Sequence, residues 1–167
     1  MSATQVPEIP RPISAGAEMA ALRRFFRDCR WKGTIVEGGM GPGTPEMTAE
    51  GRGVHTPIQD GLWIVGDYEQ DQFLLDGTFV LKWQLHWVVG WDPDAGEYRG
   101  THADNYGHAG VMSGRLDGDI LTFETMTDGP VRQRMTWNLT DPAVMRWRNE
   151  ISVNGSPFSL VEEYELR

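Results

Sequence analysis

The chain has one cysteine, Cys29, in 167 residues. An internal disulfide is therefore impossible, and cysteine usage gives no sign of an oxidising compartment. No apolar run reaches the roughly 18 residues of a membrane span. The N-terminus also lacks the charged-then-apolar pattern of a secretory leader, so a cytoplasmic location is expected. Positive charge is scarce: the formal net charge is −9. That balance argues against a partner held by a general basic field, such as nucleic acid or an anionic membrane. Arg23, Arg24, Arg27 and Arg30 do cluster, but near the end of an expected helix, where cations complement the helix dipole. Several catalytic signatures are missing too. The Gly-rich stretch 38–43 lacks the Lys-Ser/Thr ending of a phosphate cradle, and there is no His-Glu-x-x-His, dinucleotide fingerprint or serine nucleophile elbow. No bound cofactor is expected.

What is present describes a compact β protein. Hydrophobic content of 40% against 23% charged residues is that of a soluble globular domain, and the length suits a single one. Residues 1–14 carry Pro7, Pro10 and Pro12 without periodicity and read as a flexible arm; 15–167 form the domain. Ser14 can cap a helix from about Ala15 to Asp28, with Met19, Leu22 and Phe26 on one apolar stripe. Cys29 continues that spacing and reads as a buried structural thiol.

Strand-like segments follow near 31–37, 46–55, 61–70, 73–76, 78–91, 97–104, 109–116, 119–126, 131–139, 144–153 and 158–166. Asp-Gly at 60–61, 76–77 and 117–118, and Asn154-Gly155, are tight-turn signals that favour antiparallel hairpins. About ten strands joined this way, with no crossover helices, predict an all-β, antiparallel up-and-down barrel with one N-terminal helix. Closure removes the exposed edges that an open meander would leave.

Residues 79–91 carry the strongest signal. Phe79, Leu81, Trp83, Leu85, Trp87, Val89 and Trp91 share one face; Lys82, Gln84 and His86 lie on the other. At roughly 3.3 Å per residue the segment spans about 40 Å, a length that suits a tilted barrel strand. Only one face can point inward. Burying the tryptophan face removes far more apolar area from water, so Trp83, Leu85 and Trp87 are expected to line the interior.

The ordered set Trp31-Lys32-Gly33, Gly51-Arg52-Gly53, Asp60-Gly61-Leu62-Trp63 and Asp67-Tyr68 continues through Gly90-Trp91-Asp92, Tyr98-Arg99-Gly100, Asp104-Asn105 and Leu116-Asp117-Gly118. In this set the chain resembles bacterial lipocalin-like, calycin-type barrels of unknown function. Such barrels commonly open with Gly-x-Trp, where this chain has Cys29-Arg30-Trp31. The resemblance implies a barrel around an apolar cavity and no established activity.

Three constellations could carry chemistry. Tyr98, His102 and Asp104 share a strand face, and an imidazole beside a carboxylate can serve as an oriented base; a structural rim hydrogen bond is the plainer reading. With His108, and His86 or His55 as a third donor, the same run could form a two-histidine, one-carboxylate metal site, although no metal is expected. Asp67 alternates with Tyr68 and shares a face with Trp63; buried there it would be a carboxyl with a raised pKa, and otherwise an exposed strand end. Arg132, Arg134, Arg146 and Arg148 alternate on two late strands and are expected to pair across strands with Glu150, Glu162 or Glu163, unless one turns inward to clamp a ligand carboxylate.

The expected function is binding of a small, largely apolar, aromatic or polycyclic molecule, with Trp63, Trp83, Leu85, Trp87 and Tyr98 as contacts. The alternative is a cofactor-independent acid–base enzyme, an isomerase, cyclase or decarboxylase, using His102, Asp104 or Asp67 in the same cavity. A homodimer stays open as an assembly.

Overall fold

The computed structural model describes residues 13–167. All but Ile13 and Ser14 of the arm expected over 1–14 lie outside the described residues. The chain forms α1 (Ala17–Leu22), then β1 (Cys29–Ile35), β2 (Met47–Ile58), β3 (Trp63–Leu74), β4 (Phe79–Asp92) and β5 (Glu97–Asp104). It continues with β6 (Ala109–Asp117), β7 (Ile120–Thr125), β8 (Val131–Asn138), β9 (Met145–Val153) and β10 (Ser159–Leu166). Every strand pairs antiparallel with its sequence neighbours, and β10 returns to β1 to close a ten-stranded barrel. This is the closed all-β antiparallel barrel expected from the strand and turn pattern.

The closing seam aligns Trp31 with Leu166 and Gly33 with Tyr164. Reciprocal backbone bonds between Arg30 and Arg167, at 2.8 and 2.9 Å, extend it. Tight turns do the reversing. At Asn154-Gly155 both residues have positive φ, +53° and +76°, as a two-residue hairpin turn requires. Residues expected as two strands, 61–70 and 73–76, form the single strand β3, because Asp71 and Gln72 keep the alternation unbroken and pair with Glu50 and Ala49.

The helix is shorter than its apolar stripe suggested. Ser14 does not cap it; extended Gly16 precedes the first turn and makes no side-chain cap. After Leu22 the chain tightens, with Arg24 N–H donating to the Ala21 carbonyl and Phe25 N–H to the Leu22 carbonyl. The tightened turn carries both Phe25 and Phe26 into the barrel end, which a regular continuation with three arginines around it would not do. Cys29 is buried as expected, but from the first position of β1 rather than from the helix.

Large rings fill the interior because glycine faces them. The β1–β2 register sets Trp31 opposite Gly51, where a Cβ would lie 2.4 Å from the Trp31 ring. Phe26 closes the helix end edge-on to Trp87 at 5.8 Å, and Trp87 meets Phe123 at 5.1 Å. Among the described residues the opposite end, at the β1–β2, β3–β4, β5–β6, β7–β8 and β9–β10 turns, carries no helix.

Candidate functional site: the barrel interior

Above the aromatic plug the barrel encloses a void of about 50 Å³. Its wall holds five indoles, from Trp31, Trp83, Trp87, Trp137 and Trp147, and two phenols, Tyr68 and Tyr164. Tyr164 stacks nearly parallel on Trp147, 14° at 5.1 Å, and on Trp31, 21° at 6.3 Å. The three rings bridge β9, β10 and β1, so the seam that closes the barrel also builds one wall of the void.

A polar network lies behind that wall. The Tyr164 hydroxyl donates to Glu162 Oε2, and Asn149 Nδ2 donates to Glu162 Oε1 at 3.0 Å. Gln133 Nε2 donates to Asn149 Oδ1 at 2.9 Å, and Trp31 Nε1 donates to Gln70 Oε1 at 3.0 Å. Burial pushes the Glu162 carboxyl above its ordinary value, against the pull of hydrogen bonds from Tyr164, Asn149 and Gln70. Burial likewise raises both phenols. On the facing strands the Tyr68 hydroxyl lies 2.7 Å from His55 Nε2, and burial holds that imidazole below its ordinary value.

The long strand turns its tryptophan face inward, the one of its two faces whose burial removes more apolar area from water. Trp87 is 1% exposed, and Trp83 and Leu85 are half-buried on the wall. Lys82, Gln84 and His86 lie outside. Tyr98 is buried too, but in the plugged end. Its hydroxyl donates to the Glu18 carbonyl at 2.9 Å and it is not on the wall of the void.

Two expected placements need correction. Trp63 sits on the outer face of β3 and covers Gly90, where a Cβ would lie 2.5 Å from its ring. Asp67 is on that same outer face, exposed, with Oδ1 2.7 Å from His86 Nδ1. The parity of β3 decides both: Ile64, Gly66, Tyr68, Gln70 and Gln72 point inward, so their odd-numbered neighbours cannot.

His102 and Asp104 share a strand face but make no hydrogen bond with each other. Asp104 organises the β5–β6 turn, accepting from the backbone N–H groups of Tyr106 and His108 at 2.9 Å each. Its other oxygen lies 3.0 Å from His108 Nδ1 and 3.3 Å from Trp83 Nε1. Burial raises this carboxyl, but the hydrogen bonds outweigh it and hold the pKa below the ordinary value. His102 packs its ring over Gly110 and edge-on to Trp87, with Nδ1 buried and unpartnered. Burial lowers its pKa. Among the described residues, no group of three or more His, Cys, Asp or Glu is placed to hold a metal ion.

The inward Glu162 was not separable from Glu163 by charge pairing alone, yet period two distinguishes them. Glu162, Tyr164 and Leu166 alternate on one face of β10, with Glu163 and Glu165 on the other. Arg132, Arg134 and Arg148 point outward and pair as ordinary sheet exteriors do, with Glu124 at 2.6 Å, Glu150 at 3.0 Å and Glu163 at 3.7 Å. Broader depressions of about 730 and 530 Å³ lie on the outer faces of β1–β5. The pairs Lys32–Glu50, Arg52–Glu69 and Lys82–Asp71 already neutralise one another there.

No helix among the described residues is long and apolar enough to cross a membrane. A family model described as protein of unknown function (DUF1579) matches residues 16–156, most of the chain. No curated protein matches it significantly.

Proposed function

Because the chain belongs to the DUF1579 family of proteins of unknown function, we propose its role from the barrel interior: it binds a small, largely apolar, aromatic molecule. The observation that carries the reading is the void itself, ringed by indoles and phenols and backed by a hydrogen-bonded polar network. Flat rings offer a large contact area and stacking surfaces to an aromatic guest. The volume of about 50 Å³ is far below the roughly 300–1,000 Å³ of drug-sized pockets. A single-ring ligand is therefore the better fit, and even that ligand requires half-buried Trp83 and Leu85 to swing aside, since a cavity that binds benzene measures about 150 Å³. We place the protein in the cytoplasm, in keeping with its free cysteine and acidic balance.

Titration with single-ring aromatic compounds, followed by tryptophan emission, tests the reading. Trp83→Ala should weaken binding by about 1–3 kcal/mol if its indole makes a full contact. Lys82→Ala and Gln84→Ala, on the opposite face, should leave affinity unchanged. Sensitivity in the outer row with none at Trp83 would move the ligand outside the barrel and refute the proposal.

The acid–base enzyme is the second reading, and one observation favours it: the Tyr68–His55 contact of 2.7 Å sets an imidazole behind a phenol that lines the cavity. Tyr68→Phe should then abolish turnover while the fold persists, and a fully active variant would dismiss that pair.

A further inference from the structure

We propose that the Tyr164–Glu162 pair is the polar anchor of the cavity and takes a neutral ligand that donates a hydrogen bond, a phenol or N–H heteroaromatic, while the cavity rejects carboxylates. The inference rests on the cavity reading and narrows its ligand class.

Charge is the first argument. Lys and Arg are absent from the wall of the void. Arg132, Arg134 and Arg148 are each paired with an outward carboxylate. A carboxylate drawn into the barrel would leave water without gaining a fixed counterion: behind the wall lie another acid, Glu162, and an imidazole, His55, whose protonation burial disfavours. Such a transfer is strongly unfavourable.

Hydrogen-bond capacity is the second argument. The Tyr164 hydroxyl has one proton, and it is directed at Glu162 Oε2. The Gln70 side chain reaches one lone pair of its oxygen, which leaves the other as acceptor capacity on a ring that lines the void. Asn149 holds the other Glu162 oxygen at 3.0 Å and is itself held by Gln133, so the pair cannot easily turn away. Two indole N–H groups that could otherwise serve an anion are engaged, Trp31 with Gln70 and Trp83 with Asp104. Trp87 Nε1 is buried without a partner against the Gly100 backbone, where a Cβ would be 2.3 Å away, and as a neutral donor it cannot replace a counterion.

The test uses two matched pairs of probes on the full chain: phenol against toluene, and nitrobenzene against benzoate. Binding is followed by NMR through the indole N–H signals of the wall tryptophans. Phenol should bind several-fold tighter than toluene, although toluene is the more apolar of the two. Benzoate should bind at least tenfold more weakly than nitrobenzene. Tyr164→Phe should erase the preference for phenol over toluene. The wild-type comparison stands even if that variant fails to fold. Toluene binding as tightly as phenol, or benzoate as tightly as nitrobenzene, would overturn this inference while leaving the cavity reading intact. Failure of all four probes to bind would overturn both.

Discussion

Trp87 and His86 are chain neighbours whose side chains leave β4 on opposite faces, which makes them a matched pair of perturbations. Trp87 is 1% exposed and is packed edge-on against Phe26 and Phe123, with Trp137 tilted beside it at 5.6 Å. An indole buries about 150–250 Å². At about 25 cal/mol per Å² its burial is worth about 4–6 kcal/mol, an upper figure, since alanine retains part of the contact. Truncations of buried Phe or Trp to Ala cost about 3–5 kcal/mol. We expect Trp87→Ala to fall in that range, a large share of the roughly 5–15 kcal/mol that holds a domain together. For a domain of this size the corresponding fall in Tm is about 6–20 °C, at about 2–4 °C per kcal/mol. His86 is exposed and contacts only Asp67, also exposed, so His86→Ala should change stability by less than about 1 kcal/mol. Urea unfolding with tryptophan emission and circular dichroism as coincident probes gives both numbers. If the two variants lose similar stability, or Trp87→Ala loses less than about 1 kcal/mol, the aromatic face does not form the core and the inward assignment of β4 is wrong.

Burial raises the Glu162 pKa, so the folded protein keeps this proton at pH values where the unfolded chain has lost it, and the group's contribution to stability falls as pH rises through that window. Glu162→Gln should therefore gain Tm relative to the wild type as pH is raised above the ordinary glutamate range, and a difference that shrinks instead refutes the assignment. Burial lowers the His102 and His55 pKa values, so the unfolded chain takes up protons first and stability falls as pH drops below the ordinary histidine value near 6.5. Replacing both with Gln should flatten that acid limb in a Tm-versus-pH series; an unchanged limb would assign it to other groups. The Cys29 thiol, pushed up to about 11 by burial, should resist thiol reagents at pH 8 and react promptly in denaturant, and rapid labelling of the folded protein would show that the α1–β1 junction opens.

The fold was legible because one signal repeated itself. Ten alternating segments divided by Asp-Gly and Asn-Gly turns leave few architectures open, and β4 declares its inner face through tryptophan spacing. The site was harder to read. Asp67 and Trp63 were misplaced because β3 has apolar or aromatic residues on both faces: Trp63 and Val65 outward, Ile64 and Tyr68 inward. Alternation there does not choose a side; pairing with β4 does. Helix length failed for a different reason. Local periodicity extends to Phe26, but the barrel end receives Phe25 as well, and tertiary packing overrides propensity. Asp104 was expected beside His102, yet its neighbour in space is His108 across a turn rather than His102 along the strand. Glu162 carried a usable signal, the alternation with Tyr164 and Leu166, which was masked by an equally acidic neighbour at 163.

The seam between β1 and β10 brings together residues from opposite ends of the chain, and it sets an order of events. Trp31, Gln70, Glu162 and Tyr164 cannot become neighbours until the last strand has been made and has docked, because Tyr164 and Leu166 belong to it. During synthesis, nine strands can form hairpins while the edges of β1 and β9 remain unpaired and open to the wrong partner. Non-local closure of this kind is slow compared with hairpin formation. The wall of the void is therefore the last part of the barrel to form, and a probe that recognises it would distinguish finished barrels from incomplete ones.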